Sequence, residues 1–151
     1  MGGDHEAVFF IADHDGRGNL ADQAIRMISD QNSANPTKPW FMWFCPGANH
    51  APHQAPKDYI AKYKGKFDQG WDKLREETLA RQIKLGVVPA GTKLAPKPAD
   101  IKDWDKLSAD EKKLYARMME VFAGFAAHCD HELGRVVDAM GKPIDGRGDA
   151  G

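Results

Sequence analysis

Two imidazoles, a thiol and three prolines crowd into the twelve residues CPGANHAPHQAP, positions 45–56. His50 and His53 are the residues best suited to chemistry, because an imidazole titrates near neutral pH and can move a proton or face an anion. Three apart on a helix they could share a metal ion, but Pro52 between them argues for a loop. A zinc site would take Cys45 as a third ligand and need a fourth from elsewhere. A single histidine acting as proton donor or anion ligand asks less of the chain. The plain alternative is a pair of exposed loop histidines with no task.

Two other clusters invite the same question. HCDH, positions 128–131, looks like a ligand set when written in a line. On a helix it separates, with Cys129 on the apolar side and Asp130 and His131 on different parts of the surface. His128 and His131 could chelate a metal between them, whereas His128 with Glu132 forms an ordinary i,i+4 surface pair. DHD, positions 13–15, flanks an imidazole with two carboxylates and reads first as a solvated turn before Gly16. The sequence contains no G-x-S-x-G elbow, no Walker A loop and no H-E-x-x-H helix.

The bulk numbers bound what such residues can belong to. At 151 residues, with 42% hydrophobic and 28% charged residues, the chain suits one globular domain. A net charge of -1 leaves no electrostatic footprint for nucleic acid or for an anionic membrane surface. No stretch approaches the roughly 18 apolar residues of a membrane span. The acidic N-terminal stretch MGGDHEAVFFIADHDG is unlike a secretory signal. The expectation is a soluble cytoplasmic protein, or a piece of an exported one whose signal has been removed. Cys45 and Cys129 are too few for a disulfide framework and read as buried free thiols.

The elements that must position these residues are mainly helical. Asn19 can cap a first helix, with Asp22 in its first turn and Leu20, Ala24, Ile25 and Ile28 at helical spacing. Residues 40–45 form a continuous apolar run that suits a central parallel strand buried on both faces, and AVFFIA, 7–12, is the other strand candidate. Short and longer helices follow over 57–64 and 68–85, opened by Pro56 and stopped by Gly86. The proline-rich stretch GVVPAGTKLAPKPADIKDW reads as an extended connector. The clearest element is a helix over 108–140. Ser108 and Glu111 make a capping box, and Leu114, Met118, Phe122, Phe125, Cys129, Leu133, Val136 and Met140 give one apolar stripe for a core. The chain thus divides into an N-terminal segment 1–18, a central segment 19–141 and a flexible Gly-rich tail 142–151.

This inventory is mainly α with one or two strands, too little sheet to shield a strand that apolar. It reads like the middle of an α/β domain. From about residue 38 to 140 the chain resembles the bacterial arylsulfatases of the sulfatase family, in the alkaline phosphatase superfamily. The resemblance is carried by KPWFMWFCPGANHAPHQAPKDYIAKYKGKFDQGWDKLREETLARQIKLGVVP and then by WDKLSADEKKLYARMMEVFAGFAAHCDHELGRVVDAM. It implies a fragment of an α/β sulfatase domain, a sulfuric ester hydrolase acting on small-molecule sulfate esters. Its nucleophile would be a formylglycine made from Cys or Ser in C/S-x-P-x-R. Its divalent cation, calcium in the full-length family, would be held by an aspartate pair and an Asp-Asn pair. The resemblance assigns the sulfate-facing histidine to His50, the catalytic and substrate-binding candidate, with His53 and Lys57 as neighbouring substrate-binding candidates.

The departures are as informative. Neither cysteine sits in C-x-P-x-R, no serine fills that motif, and there is no adjacent aspartate pair and no Asp-Asn pair. The expectation is therefore a family segment with no metal of its own, not competent for ester hydrolysis unaided. Two other readings stand beside it. One is a helical interaction module that homo-oligomerises through its orphan strand. The other is a small hydrolase or metal-binding protein using His50 and His53.

Overall fold

A computed structural model describes residues 7–9 and 19–141. The expected tail at 142–151, the DHD turn and most of the segment 1–18 lie outside the described residues. In chain order the elements are β1 (Ala7–Phe9), α1 (Asn19–Ala34), β2 (Phe41–Trp43), α2 (Lys57–Ala61), α3 (Gly70–Lys84), a 3₁₀ turn (Trp104–Lys106) and α4 (Ala109–Gly141). The protein is predominantly α-helical, as the periodicity implies. The chain forms two compact units, one built from 1–59 with 125–151 and the other from 60–124. α4 contributes residues to both.

In the first unit, β1 and β2 pair in parallel, with Ala7 opposite Phe41, Val8 opposite Met42 and Phe9 opposite Trp43. Parallel neighbours need a crossover, and α1 lies between them in sequence. α1 turns Ala21, Ala24 and Ile28 inward against Val136 of α4, and Trp40, Met42 and Phe44 pack on this cluster. Those last three alternate along the chain, so they share one face of the strand. The Trp40 indole N–H donates to Asn32 Oδ1 at 3.0 Å, fixing the strand's entry to the end of α1.

The other face of β2 is a correction. The apolar run suggests burial on both sides, but Phe41 is 61% and Trp43 58% exposed. A strand buried on both faces needs helices on each, and among the described residues only the Met42 side is packed on a buried apolar cluster.

The second unit is organised by α3 and the connector that follows it. Gly86, at φ +71°, ends α3. The Val87 N–H donates to Gln82 O at 2.9 Å and the Gly86 N–H to Ile83 O at 3.1 Å, the paired bonds of a Schellman stop. Arg75 then donates to Ala95 O at 2.6 Å and Trp71 Nε1 to Lys102 O at 3.1 Å. Lys97 bridges Asp72 at 2.8 Å and Asp103 at 2.7 Å. The other Asp72 oxygen accepts the Trp104 N–H at 2.8 Å. Four anchors therefore tie an extended, proline-rich segment back to one helix, and the Lys97–Asp103 pair braces the segment internally. Trp104, Leu107 and Ala116 form the buried cluster of this unit, with Trp71 packed on it.

The capping box forms as expected. Ser108 N–H donates to Glu111 Oε2 at 2.8 Å, and Glu111 N–H to Ser108 Oγ at 3.2 Å. The expected apolar stripe is only partly the buried face. Phe125 and Val136 are buried, but Leu114, Met118, Leu133 and Met140 are exposed. The residues that turn inward in the second unit are Ala116, Glu120 and Gly124, and in the first Phe125, His128 and Val136. Apart from Phe125, these recur in steps of four or eight. A step of four on a helix drifts by roughly 40° per turn, so the buried seam winds away from a straight stripe. Small and polar residues line that seam because backbone approaches it closely: a Cβ on Gly124 would stand 2.8 Å from Ile60 Cα.

Candidate functional site

The loop 44–56 leaves the carboxyl end of β2 and delivers the chain to α2. The His50 N–H donates to Gly47 O at 2.9 Å, closing a turn just before the first histidine. The peptide bonds Ala48–Asn49 and Ala51–Pro52 are cis. At the far end the Tyr59 N–H donates to Pro56 O at 3.1 Å, so the last proline opens α2.

The His50 ring is exposed, and its Nδ1 lies 2.6 Å from Ala51 O. A carbonyl only accepts, so Nδ1 carries the proton of this bond. The neutral ring then presents Nε2 as a lone pair to solvent, and the protonated ring presents a second N–H. That second form can bind an anionic oxygen or hand over a proton. His53 is also exposed, with its ring 6.1 Å from that of Phe125 and tilted by 46°. Lys57, the first residue of α2, is exposed as well. All three side chains are exposed, with the half-buried Ala55 and Pro56 between His53 and Lys57.

HCDH lands on α4 within the first unit, and here the expectation needs revision. His128 is only 8% exposed, and its Nε2 sits 3.5 Å from Glu132 Oε1. The anticipated surface pair is thus sheltered. The Tyr59 ring meets His128 edge-on at 4.9 Å and His131 at 6.0 Å. Glu132 continues to Arg135 at 2.5 Å, and Arg135 to Asp22 of α1 at 2.5 Å. Asp22 and then Glu132 hold the guanidinium even more firmly protonated than usual. Spacing makes the steps from 128 to 132 and from 132 to 135 legible in sequence. The reach to Asp22 crosses 113 residues and carries no local signal.

Both cysteines are free and half-buried. Burial, reinforced by Asp130 and Glu132, pushes the Cys129 thiol upward and keeps it from becoming a thiolate nucleophile. A divalent cation does not fit the residues described. No group of three or more His, Cys, Asp or Glu side chains among them is arranged to hold one, and hard cations need several converging oxygens. Among the described residues no helix is long and apolar enough to cross a membrane.

Comparison with known proteins bears on what the loop belongs to. Residues 7–144 match the Sulfatase family. A Schizosaccharomyces pombe protein named an uncharacterized sulfatase is 36% identical over 120 residues, covering 78% of this chain and 21% of that protein. The arylsulfatase of Klebsiella aerogenes is 30% identical over 116 residues, 76% of this chain and 25% of the enzyme. The chain belongs to the sulfatase family. It spans about a quarter or less of the length of these curated relatives.

Proposed function

We propose that this chain is the segment of a sulfuric ester hydrolase that carries one sulfate-facing histidine, His50. The observation that supports it most is the pose of that ring. It stands exposed after the carboxyl end of a parallel strand, where open α/β sheets bind ligands, with Nδ1 engaged and Nε2 free to face an anion. His53 and Lys57 are adjacent donors for the same sulfate group. The substrate class is a small-molecule sulfate ester. The 151 residues hold neither C/S-x-P-x-R nor the paired aspartates, so His50 supplies acid and anion contacts without a nucleophile beside it. In the whole enzyme the nucleophile and the calcium site come from other parts of the sequence. General acid help from one imidazole is worth about 10²- to 10⁴-fold, well short of a full mechanism.

Two measurements test this. Aryl sulfate, phosphate and carboxylate esters incubated with the chain, with and without divalent cations, should show no turnover above background. Imidazole NMR signals of His50 should shift saturably on titration with an aryl sulfate, and His50→Ala should abolish that response. Turnover lost in His50→Ala would point instead to the small hydrolase reading. A flat titration sinks the anion role.

A second reading is favoured by the exposed pair Phe41 and Trp43. An apolar sheet face of this kind is a surface for association, and a second copy of the chain would cover it. Sedimentation velocity should then give a dimer that Trp43→Lys dissociates. A monomer at all concentrations removes this reading.

A further inference from the structure

The second unit contains an open-sided apolar cavity of about 200 Å³. Its walls are Phe67, Trp71, Trp104 and Tyr115, completed by Leu74 and Met119. Trp71 meets Trp104 edge-on, with ring centroids 4.8 Å apart and planes at 80°, and meets Tyr115 at 5.5 Å and 58°. Two polar groups beside these rings are engaged elsewhere. The Trp71 indole N–H is donated to Lys102 O, and Asp72 is occupied by Lys97 and by the Trp104 N–H.

We infer that this cavity binds one uncharged aromatic ring. Size is the first argument. A dry cavity near 150 Å³ lined by aliphatic and Phe side chains holds benzene, so this volume admits a six-membered ring with one short substituent. Shape is the second. Indole and phenol rings present both faces and edges, and a further aromatic ring placed among them gains edge-to-face contacts that a saturated ring cannot make. Charge is the third. The surface that the lining turns toward the cavity is almost wholly apolar, and it leaves an ammonium or carboxylate uncompensated, which is costly. Preorganisation is the fourth. Trp104 is buried and packed over Gly70, and its backbone is pinned to Asp72, so the ring is held before a ligand arrives. The inference stands independently of the role given to His50.

The test is titration of the full chain with toluene, followed by saturation-transfer NMR on the ligand and by near-ultraviolet circular dichroism of the tryptophans. A ligand of seven heavy atoms should bind with Kd on the order of 0.1–1 mM. Benzoate, benzylammonium and methylcyclohexane should each bind about tenfold more weakly or worse. Leu74→Trp, which fills the cavity, and Tyr115→Ala, which removes a wall, should each weaken toluene, and Trp43→Ala should leave it unchanged. The two cavity variants protect the test against one of them failing to fold. The inference is overturned by absence of saturable binding, by toluene affinity that survives in a folded cavity variant, or by methylcyclohexane binding as tightly as toluene. In Trp43→Lys, whose sheet face no longer associates, a tryptophan signal that still changes with protein concentration alone would mean that a second copy fills the cavity, and would also overturn it.

Discussion

The Gly65 N–H donates to Glu120 Oε1 at 2.8 Å, joining the turn after α2 to the middle of α4 across 55 residues of sequence. Glu120 is 7% exposed, and its other oxygen takes the Arg117 guanidinium at 2.7 Å. The Gly65 N–H first, and Arg117 second, hold this carboxyl below the usual carboxylate range. The carboxylate works here as a bracket for backbone.

Removing that bracket should cost more than removing its ion pair. Glu120→Ala leaves the Gly65 N–H without its acceptor and should destabilise by about 2–3 kcal/mol. Arg117 is largely exposed, so Arg117→Ala should cost under ~1 kcal/mol. Glu120→Gln, which keeps an acceptor oxygen, should fall near the arginine variant. Urea unfolding of the three variants checks the order. Equal losses for alanine and glutamine would mean that the ion pair dominates.

Gly70 and Gly86 both hold positive φ, at +79° and +71°. A Cβ at Gly86 meets nothing within 4 Å, whereas at Gly70 it would land inside the Trp104 ring. Gly86→Ala should therefore show the backbone strain alone, about 1 kcal/mol, and Gly70→Ala should exceed it by at least ~2 kcal/mol. Only the second should also disturb the near-ultraviolet dichroism of the Trp71–Trp104 pair. Similar behaviour in both would remove Trp104 as the cause.

Gly124→Ala sets two effects against each other. Helix propensity favours alanine by about 1 kcal/mol. The new methyl would meet Ile60 Cα at 2.8 Å and Ile60 N at 2.9 Å, and backbone cannot swing aside as a side chain can. Overpacking costs about 1–3 kcal/mol, so the variant should be less stable overall. A rise in melting temperature would show that the helices can separate at little cost.

Acid should loosen the connector clamp. Lys106, then Lys97, lowers the Asp103 carboxyl from 3.8 to about 2. Asp72 is lowered too, by Lys97 first and the Trp104 N–H second. A carboxyl depressed on folding stabilises the fold fully above its unfolded value, and that contribution is lost as pH falls through the folded value. The stability difference between wild type and Asp103→Asn should be flat above about pH 5, shrink below about pH 4 and be nearly gone by about pH 2. Denaturation midpoints across this range check it. A gap that widens in acid contradicts the sign.

Local signals in the sequence were dependable and long-range ones were silent. Ser108 with Glu111, Gly86 after α3 and the helical spacing around Ala24 each describe a few adjacent residues, and each forms as its pattern implies. The apolar stripe of α4 misleads because hydrophobicity marks residues that some surface could cover. Glu120 and Gly124 are buried for reasons that belong to Gly65 and Ile60, and neither leaves a trace in α4's own composition. The candidate site divides the same way. The loop that carries His50 was legible from its prolines, whereas the sheltering of His128 needed Tyr59 to be brought to it.

The Lys97 clamp also sets an order of cutting. A lysine-directed protease must draw the whole side chain into its own pocket, along with several residues of extended backbone. Lys97 is 18% exposed, with its ammonium held by two carboxylates and the Lys102 carbonyl. Lys93, four residues earlier, is exposed. Pro98 follows Lys97, so trypsin does not cut there. It should nick the connector after Lys93 first and after Lys102, whose carbonyl is held by the Trp71 indole and the Lys97 ammonium, only when the clamp opens. The delay between the two cuts is then a clock for that opening.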